Sequence, residues 1–214
     1  MTGSTMRDQK MFATTTVSDA LDSLGIQGRV VSGLRPVRSN QRVRGIARVG
    51  VVVESDAPGI DGLSDLLDGA NEGDFLMLAW AARYRASVFG GLAALRASLR
   101  GCAGLAVDGC VRDLDELAER LPVWYETATP KTGRGRLGVR VVDHPVIFGG
   151  VQVSTGDSVF ADETGICVVP SADVDRVVEA AARLEQDDLD SERKLLEGGS
   201  WKGSQPILGS SPAK

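Results

Sequence analysis

The sequence predicts an α/β protein with mixed sheets and flanking helices, on three observations. Short apolar runs of strand character alternate with helical stretches up to about residue 126. Strands separated by Gly, Asp and Pro dominate from there to Pro170. One long amphipathic helix then follows. Helix and strand interleaved in this way bury their apolar faces against one another in layers. With no repeat of about 20 to 50 residues, residues 12–199 read as a single domain, residues 1–11 as a mobile N-terminus and residues 200–214 as a flexible or subunit-docking tail.

In order, TTTVSDALDSLG reads as a short helix, with Thr16 as N-cap, Asp19 completing a capping box and Gly25 as the stop. Val17, Ala20, Leu21 and Leu24 share its apolar face. IARVGVVVE (46–54) is a strand, followed by a polar loop over 55–62. SDLLDGANEGDFLMLAW gives a short helix, a glycine turn and a strand over 75–80. VFGGLAALRASLRG places two glycines before a helix that ends at Gly101. A strand over 103–107 leads to an Asp108-Gly109 turn. LDELAERL is a helix with Leu114, Leu117 and Leu121 inward, stopped by Pro122, and VWYE resumes extended structure. VRVVD, PVIFGGVQV, SVFA and ICVVP are strands. Ser171 is the expected N-cap of the last helix, whose later half is acidic and exposed.

Hydrophobic residues make up 43% of the 214, enough for a substantial core. The net charge of −5 gives no electrostatic reason to expect nucleic acid as a partner. Arginines 29, 35, 38, 42, 44 and 48 form a basic stretch without interleaved aromatics, which fits a subunit edge or solvated strand better than a nucleic-acid groove. No apolar run approaches the ~18 residues of a membrane helix. Cys102, Cys110 and Cys167 lack CxxC spacing, and the N-terminal stretch is polar. The expectation is a cytoplasmic protein with thiols packed as small hydrophobes.

Chemistry concentrates in LAVDGCVRD, which ends on Arg112 and Asp113. Asp113 with Glu116 three residues on is a capping-box pattern, so the pair can simply start a helix. It can also be a site. Glycines at a helix N-terminus leave backbone N–H groups free for an anion, here around Gly90, Gly91, Leu92 and Ala93. Were the strands preceding FGGL and RD neighbours, both tips would open on one crevice. That crevice would offer amides, a guanidinium and one or two carboxylates from Asp113 and Glu116. Such carboxylates suit Mg²⁺, or another divalent ion such as Mn²⁺. An α-oxo acid held there could undergo aldol cleavage or β-decarboxylation.

Several motifs in order resemble the RraA-like family (regulator of ribonuclease activity A), whose metal-dependent members include 4-hydroxy-4-methyl-2-oxoglutarate aldolase. SDALDSLG is similar to its first helix and DGANEGDFLML to its loop and strand. FGGLAALRASLRGCAGLAVDGCVRD is similar to its central signature and PVIFGGVQVSTGDSVFADETGICVVP to its closing strands. The resemblance, from about residue 14 to residue 199, implies a swivelling β/β/α fold and homotrimers or homohexamers with sites between subunits. It implies a lyase in which Arg112 binds the oxo acid and Asp113 the metal. The chain departs from the aldolases at Gly91, where they carry an acidic residue that contacts metal-bound water; Glu116 or Asp108 is the candidate substitute. A proton-donating acid from a second subunit falls among Asp187, Asp188, Asp190 and Glu192. The alternatives are a non-catalytic protein-binding regulator, or a member adapted to another small molecule in secondary metabolism.

Other candidates read more plainly. His144, the only histidine, fits a loop or strand edge before proline better than a phosphohistidine carrier. GRGRLG (133–138) lacks the Lys-Ser/Thr of a phosphate loop and reads as a flexible basic loop. Trp80, Arg83 and Tyr84 line the pocket or belong to core and interface. Trp201, Ile207 and Leu208 are candidates for docking on a neighbouring subunit.

Overall fold

A computed structural model describes residues 10–27 and 29–204. The elements in order begin with α1 (Thr14–Ser23), β1 (Val30–Val31), β2 (Arg35–Pro36), β3 (Val43–Glu54) and α2 (Leu63–Asp68). Next come β4 (Asp74–Trp80), α3 (Gly91–Leu99), β5 (Gly104–Val111), α4 (Leu114–Arg120), β6 (Val123–Ala128) and β7 (Leu137–Val141). The chain continues through β8 (Val146–Phe148), β9 (Val151–Val153), β10 (Ser158–Ala161), β11 (Ile166–Val169), α5 (Val174–Leu196) and α6 (Trp201–Ser204). The main sheet has the order β1-β11-β10-β3-β4-β5-β6-β2, with β7 pairing on β3; β8 and β9 form a separate hairpin.

The long strand β3 joins the two halves of this sheet by changing partner along its length. Its first residues pair antiparallel with β10 and its last with β7, while Ile46 to Val52 pair parallel with β4. The parallel run continues through β4–β5 and β5–β6. Parallel neighbours need crossovers, here α2, α3 and α4, and successive crossovers of one hand stack on one face. Period-two alternation shows that face. Leu76, Leu78, Leu105 and Val107 point into a core shared with Leu66, Ala94, Ala97 and Leu117 of the three helices. Phe75, Met77, Ala106 and Trp124 point the other way, onto Phe148, Val151 and Val153 of the hairpin. A third core lies between β10–β11 and the helices α1 and α5, built from Val17, Leu21, Phe160, Val169, Val177 and Ala181.

Several local expectations are corrected. The first helix begins at Thr14, not after a Thr16 cap, because its cap comes from far away in sequence. Asp162 accepts hydrogen bonds from the Thr14 N–H (2.9 Å), the Thr14 hydroxyl (2.6 Å) and the Thr164 N–H. Asp108-Gly109 is not a turn. It sits inside β5 at a register shift, where a Cβ on Gly109 would lie 2.0 Å from the Trp80 ring. The bulge lets the strand continue to Val111 and carry Arg112 to its tip. Ser171 does not cap the last helix; it opens a 3-10 turn ahead of α5, and its N–H donates to Asp157.

All three cysteines are free and buried, and burial pushes the Cys102 thiol up to about 11 and Cys167 up to about 12. They are packing groups, not nucleophiles. Among the described residues, no helix is long and apolar enough to cross a membrane. Trp201 opens the short α6 and is exposed; Ile207, Leu208 and most of the N-terminal stretch lie outside the described residues.

Candidate active site

Strands β4 and β5 are parallel neighbours, paired from Phe75↔Gly104 to Leu78↔Val107. Their carboxyl ends therefore open on the same side. The chain leaving β4 returns along β5: the Val88 N–H donates to the Cys110 carbonyl (3.1 Å), and the Arg112 N–H to the Phe89 carbonyl (3.1 Å). This sets Gly90 and Gly91 directly beside Arg112 and Asp113. A crevice of about 880 Å³ lies over the junction, and Gly90, Gly91, Leu92, Ala93, Arg112, Asp113 and Glu116 all line it.

The capping-box reading of Asp113 does not survive. An N-cap side chain reaches its own helix from extended backbone. Asp113 has φ 55° and ψ 50°, left-handed values that Asp tolerates better than most residues, and it makes no side-chain cap bond to α4. Its Oδ2 instead accepts the Gly91 N–H at 3.1 Å, across to the start of α3, and lies 3.3 Å from Arg112 Nε. Both side chains remain about one-third exposed, at 35% and 36%. The Arg112–Asp113 contact is thus partly solvated and worth at most about 1 kcal/mol, so it positions the groups more than it stabilises the fold.

Glycine is required at 90 by close approach. A Cβ there would stand 2.6 Å from Asp113 Oδ2 and 3.2 Å from Arg112 Nε. At Gly91 a Cβ would stand 2.0 Å from Glu116 Oε2 and 2.9 Å from Arg120 Nη1. The Glu116 carboxylate, bonded to Arg120 at 2.5 Å, therefore fills the space that a side chain at 91 would need. An acid from α4 thus stands where a side chain at position 91 would begin. The other suggested substitute, Asp108, is engaged elsewhere: its Oδ2 accepts the Gly149 N–H at 2.9 Å.

The first N–H groups of a helix have no partner within it. In α3 the Gly91 N–H goes to Asp113 and the Ala94 N–H to the Gly90 carbonyl. Those of Leu92 and Ala93 donate to no described residue, and both residues line the crevice. The site thus combines two free amides, the outer guanidinium nitrogens of Arg112 and the carboxylates of Asp113 and Glu116. Such a set can hold a small anion at one end and oxygen-ligated cations beside it.

Other sequence candidates fall outside. Trp80, Arg83 and Tyr84 do not line the crevice; Trp80 packs against the core under Arg85. Asp187, Asp188, Asp190 and Glu192 lie on α5, and none lines the crevice of its own chain. His144 is exposed beside Asp143. Sequence reasoning missed Thr132 and Arg134, which line the crevice from the loop between β6 and β7. The GRGRLG pattern flagged this segment, but no spacing rule connects it to residues 90 and 112.

A mixed-sheet α/β fold with an anion-receptive crevice at parallel strand tips defines the class. A profile of the RraA-like family (Aldolase/RraA) matches residues 14–168, and the chain belongs to that family. A Burkholderia mallei protein named "Putative 4-hydroxy-4-methyl-2-oxoglutarate aldolase" is 35% identical over 166 residues, covering 76% of this chain and 98% of its own. A protein of the same name from Halalkalibacterium halodurans is 29% identical over 187 residues, covering 85% and 84%. Among solved structures, Streptomyces coelicolor RraAS2, described as an unusual member of the RNase ES inhibitor RraA protein family, superposes with a TM-score of 0.74. It is 28% identical, over 84% of this chain and 91% of that one.

Proposed function

We propose that the chain is a divalent-metal-dependent carbon–carbon lyase acting on a pyruvate-derived oxo acid, as a 4-hydroxy-2-oxo acid aldolase, an oxaloacetate decarboxylase or both. The observation that carries this is the Asp113 carboxylate, turned away from its own helix and set beside the unpaired end of Arg112 and the free amides of α3. The names of the relatives agree with it.

The Leu92 and Ala93 amides and Arg112 receive the oxo-acid end of the substrate. When the C–C bond breaks, its electron pair stays on the pyruvate fragment, and Arg112 offsets the charge that builds there. In aldol cleavage the 4-hydroxyl gives up its proton as its carbon becomes the carbonyl of the leaving fragment; in decarboxylation CO2 leaves. In either case a proton delivered to the pyruvate carbon completes the reaction. Among the described residues of one chain no group of three or more His, Cys, Asp or Glu side chains converges, so within a chain the ion is offered the Asp113 and Glu116 carboxylates alone. Mg²⁺ or Mn²⁺ fits such a donor set, because Mg²⁺ keeps several waters and the substrate supplies oxygens of its own. Asp113 would hold the ion and Glu116, over Gly91, would bind it or orient its water. The bound ion would supply Lewis acidity at the keto oxygen.

A homo-oligomer, trimer or hexamer, belongs to this reading. Leu92, Leu95 and Leu99 form an exposed apolar stripe on α3 that starts in the crevice, at 75%, 41% and 72% exposure. The buried thiols accord with a cytoplasmic location. A protein-binding regulator is the second reading, favoured by the likeness to RraAS2 and by the lack of a side chain at Gly91.

The test is pyruvate release from oxaloacetate and from 4-hydroxy-2-oxo diacids, with and without Mg²⁺. Arg112→Ala is the control, because oxaloacetate decays with metal alone. Metal-dependent turnover should fall about a hundredfold or more in that variant while the oligomer stays folded. Release equal in wild type and variant on every substrate rejects the lyase.

A further inference from the structure

The loop between β6 and β7 is fastened to both walls of the crevice. The Ser87 N–H donates to the Lys131 carbonyl (2.8 Å), and the Gly133 N–H returns to the Ser87 carbonyl (2.9 Å). A Cβ at Gly133 would lie 2.5 Å from that same carbonyl oxygen, so the approach is close. The Gly135 N–H donates to the Gly59 carbonyl (3.1 Å), tying the loop to the opposite wall. Arg136 braces it from behind through the Thr132 carbonyl (3.2 Å). Arg134 is thereby stationed on the crevice rim.

Its ion pairing is unlike that of its neighbours. Arg112 and Arg120 each have a carboxylate partner, Asp113 and Glu116 respectively. Among the described residues, Arg134 forms no salt bridge. The crevice therefore has two places that receive negative charge. One is the glycine end, with the α3 amides and Arg112. The other is the rim, with Arg134. Ile60, Leu63, Leu67, Val88 and Phe89 supply apolar lining, and the volume of about 880 Å³ far exceeds a three-carbon fragment. Two anion receptors in an apolar-lined cleft match a chain with a carboxylate at each end. A monoanion held at the glycine end would leave the exposed Arg134 to solvent, so only a second carboxylate draws on it.

We infer that Arg134 is a specificity-determining residue that receives the distal carboxylate of the substrate, so that the crevice selects oxo diacids over oxo monoacids of the same length. This rests on the reading of the crevice as an oxo-acid site. Arg134 touches no bond that breaks; it sets which molecules are held.

Calorimetric binding tests it without turnover. 2-Oxoglutarate and 2-oxopentanoate have the same carbon count and differ in the terminal carboxylate. In saturating Mg²⁺, the wild-type protein should bind the diacid about tenfold more tightly or better, as one charge-assisted bond predicts. Arg134→Gln should bring that ratio close to one by weakening the diacid alone, and Arg134→Lys should restore part of it. Arg112→Gln should weaken both ligands alike. Equal wild-type affinities, no binding of either ligand, or a ratio unchanged in Arg134→Gln overturns the inference. Diacid-selective binding without pyruvate release would retain Arg134 and reject the lyase. Pyruvate release with no dependence on Arg134 would do the reverse.

Discussion

Asp113 and Asp162 both accept backbone N–H groups at the start of a helix, and they serve opposite ends. Asp162 is 8% exposed, and its two oxygens take three hydrogen bonds from Thr14 and Thr164. Those bonds, with Arg42 nearby, outweigh burial and hold its carboxyl below the usual carboxylate range. Asp113 takes one N–H bond, leans on Arg112 and keeps an oxygen toward the crevice. A saturated carboxylate stabilises a fold; an unsaturated one at a crevice can still bind something.

Exchanging the two roles by mutation sharpens the contrast. The largest effect is expected from Asp113→Ala, which should lower metal-dependent pyruvate release about a hundredfold or more, with a melting temperature within about 2 °C of wild type. Asp162→Ala should do the opposite. Loss of a buried cap and its hydroxyl bond should cost about 2 kcal/mol, or about 4–8 °C in a chain of this size, with activity per folded molecule retained. Calorimetry and a steady-state assay on both variants separate the cases; equal loss of stability in the two would erase the distinction.

A smaller effect tests the exchange of acids over α3. Gly91→Asp should be unstable, because its Cβ would collide with the Glu116 carboxylate. Gly91→Asp combined with Glu116→Gly should recover both melting temperature and pyruvate release. Failure of the double variant to improve on the single one would show that Glu116 is not the spatial substitute.

The acid limb of stability gives the subtlest pair. Asp162 has a folded pKa below its ordinary value, so its contribution is fully present above about pH 4 and is lost as pH falls through the folded value. Acid unfolding of Asp162→Ala should show a shallower loss there. Asp19 is the reverse: burial, then Asp188 and Asp22, raise its pKa, so its charge opposes folding at neutral pH. Asp19→Asn should raise the melting temperature slightly at pH 7 and not at pH 3, as read by a thermal scan at each pH.

How much of this was legible without coordinates depends on chain distance. The amphipathic faces of α1, α4 and α5, and the apolar run that makes β4 a strand, depend on neighbours a few residues apart, and the sequence carries them directly. So do the Gly90-Gly91 and Arg112-Asp113 pairs as features of interest. The caps were misread because a local pattern competed with a distant partner: Asp162 lies 148 residues from Thr14. Asp108-Gly109 has turn composition, yet Trp80 on the neighbouring strand packs where a Cβ at 109 would stand.

By itself, then, the sequence determined the alternation of elements, the apolar faces that must be buried and the family motifs. The tertiary structure decided which way Asp113 points, that Glu116 stands over Gly91, and that Arg134 reaches the same crevice. The reason is physical. Periodicity and capping rules act over one or two turns of chain, whereas a site is built where separate strand tips and loops meet, and that meeting is fixed by strand pairing and packing.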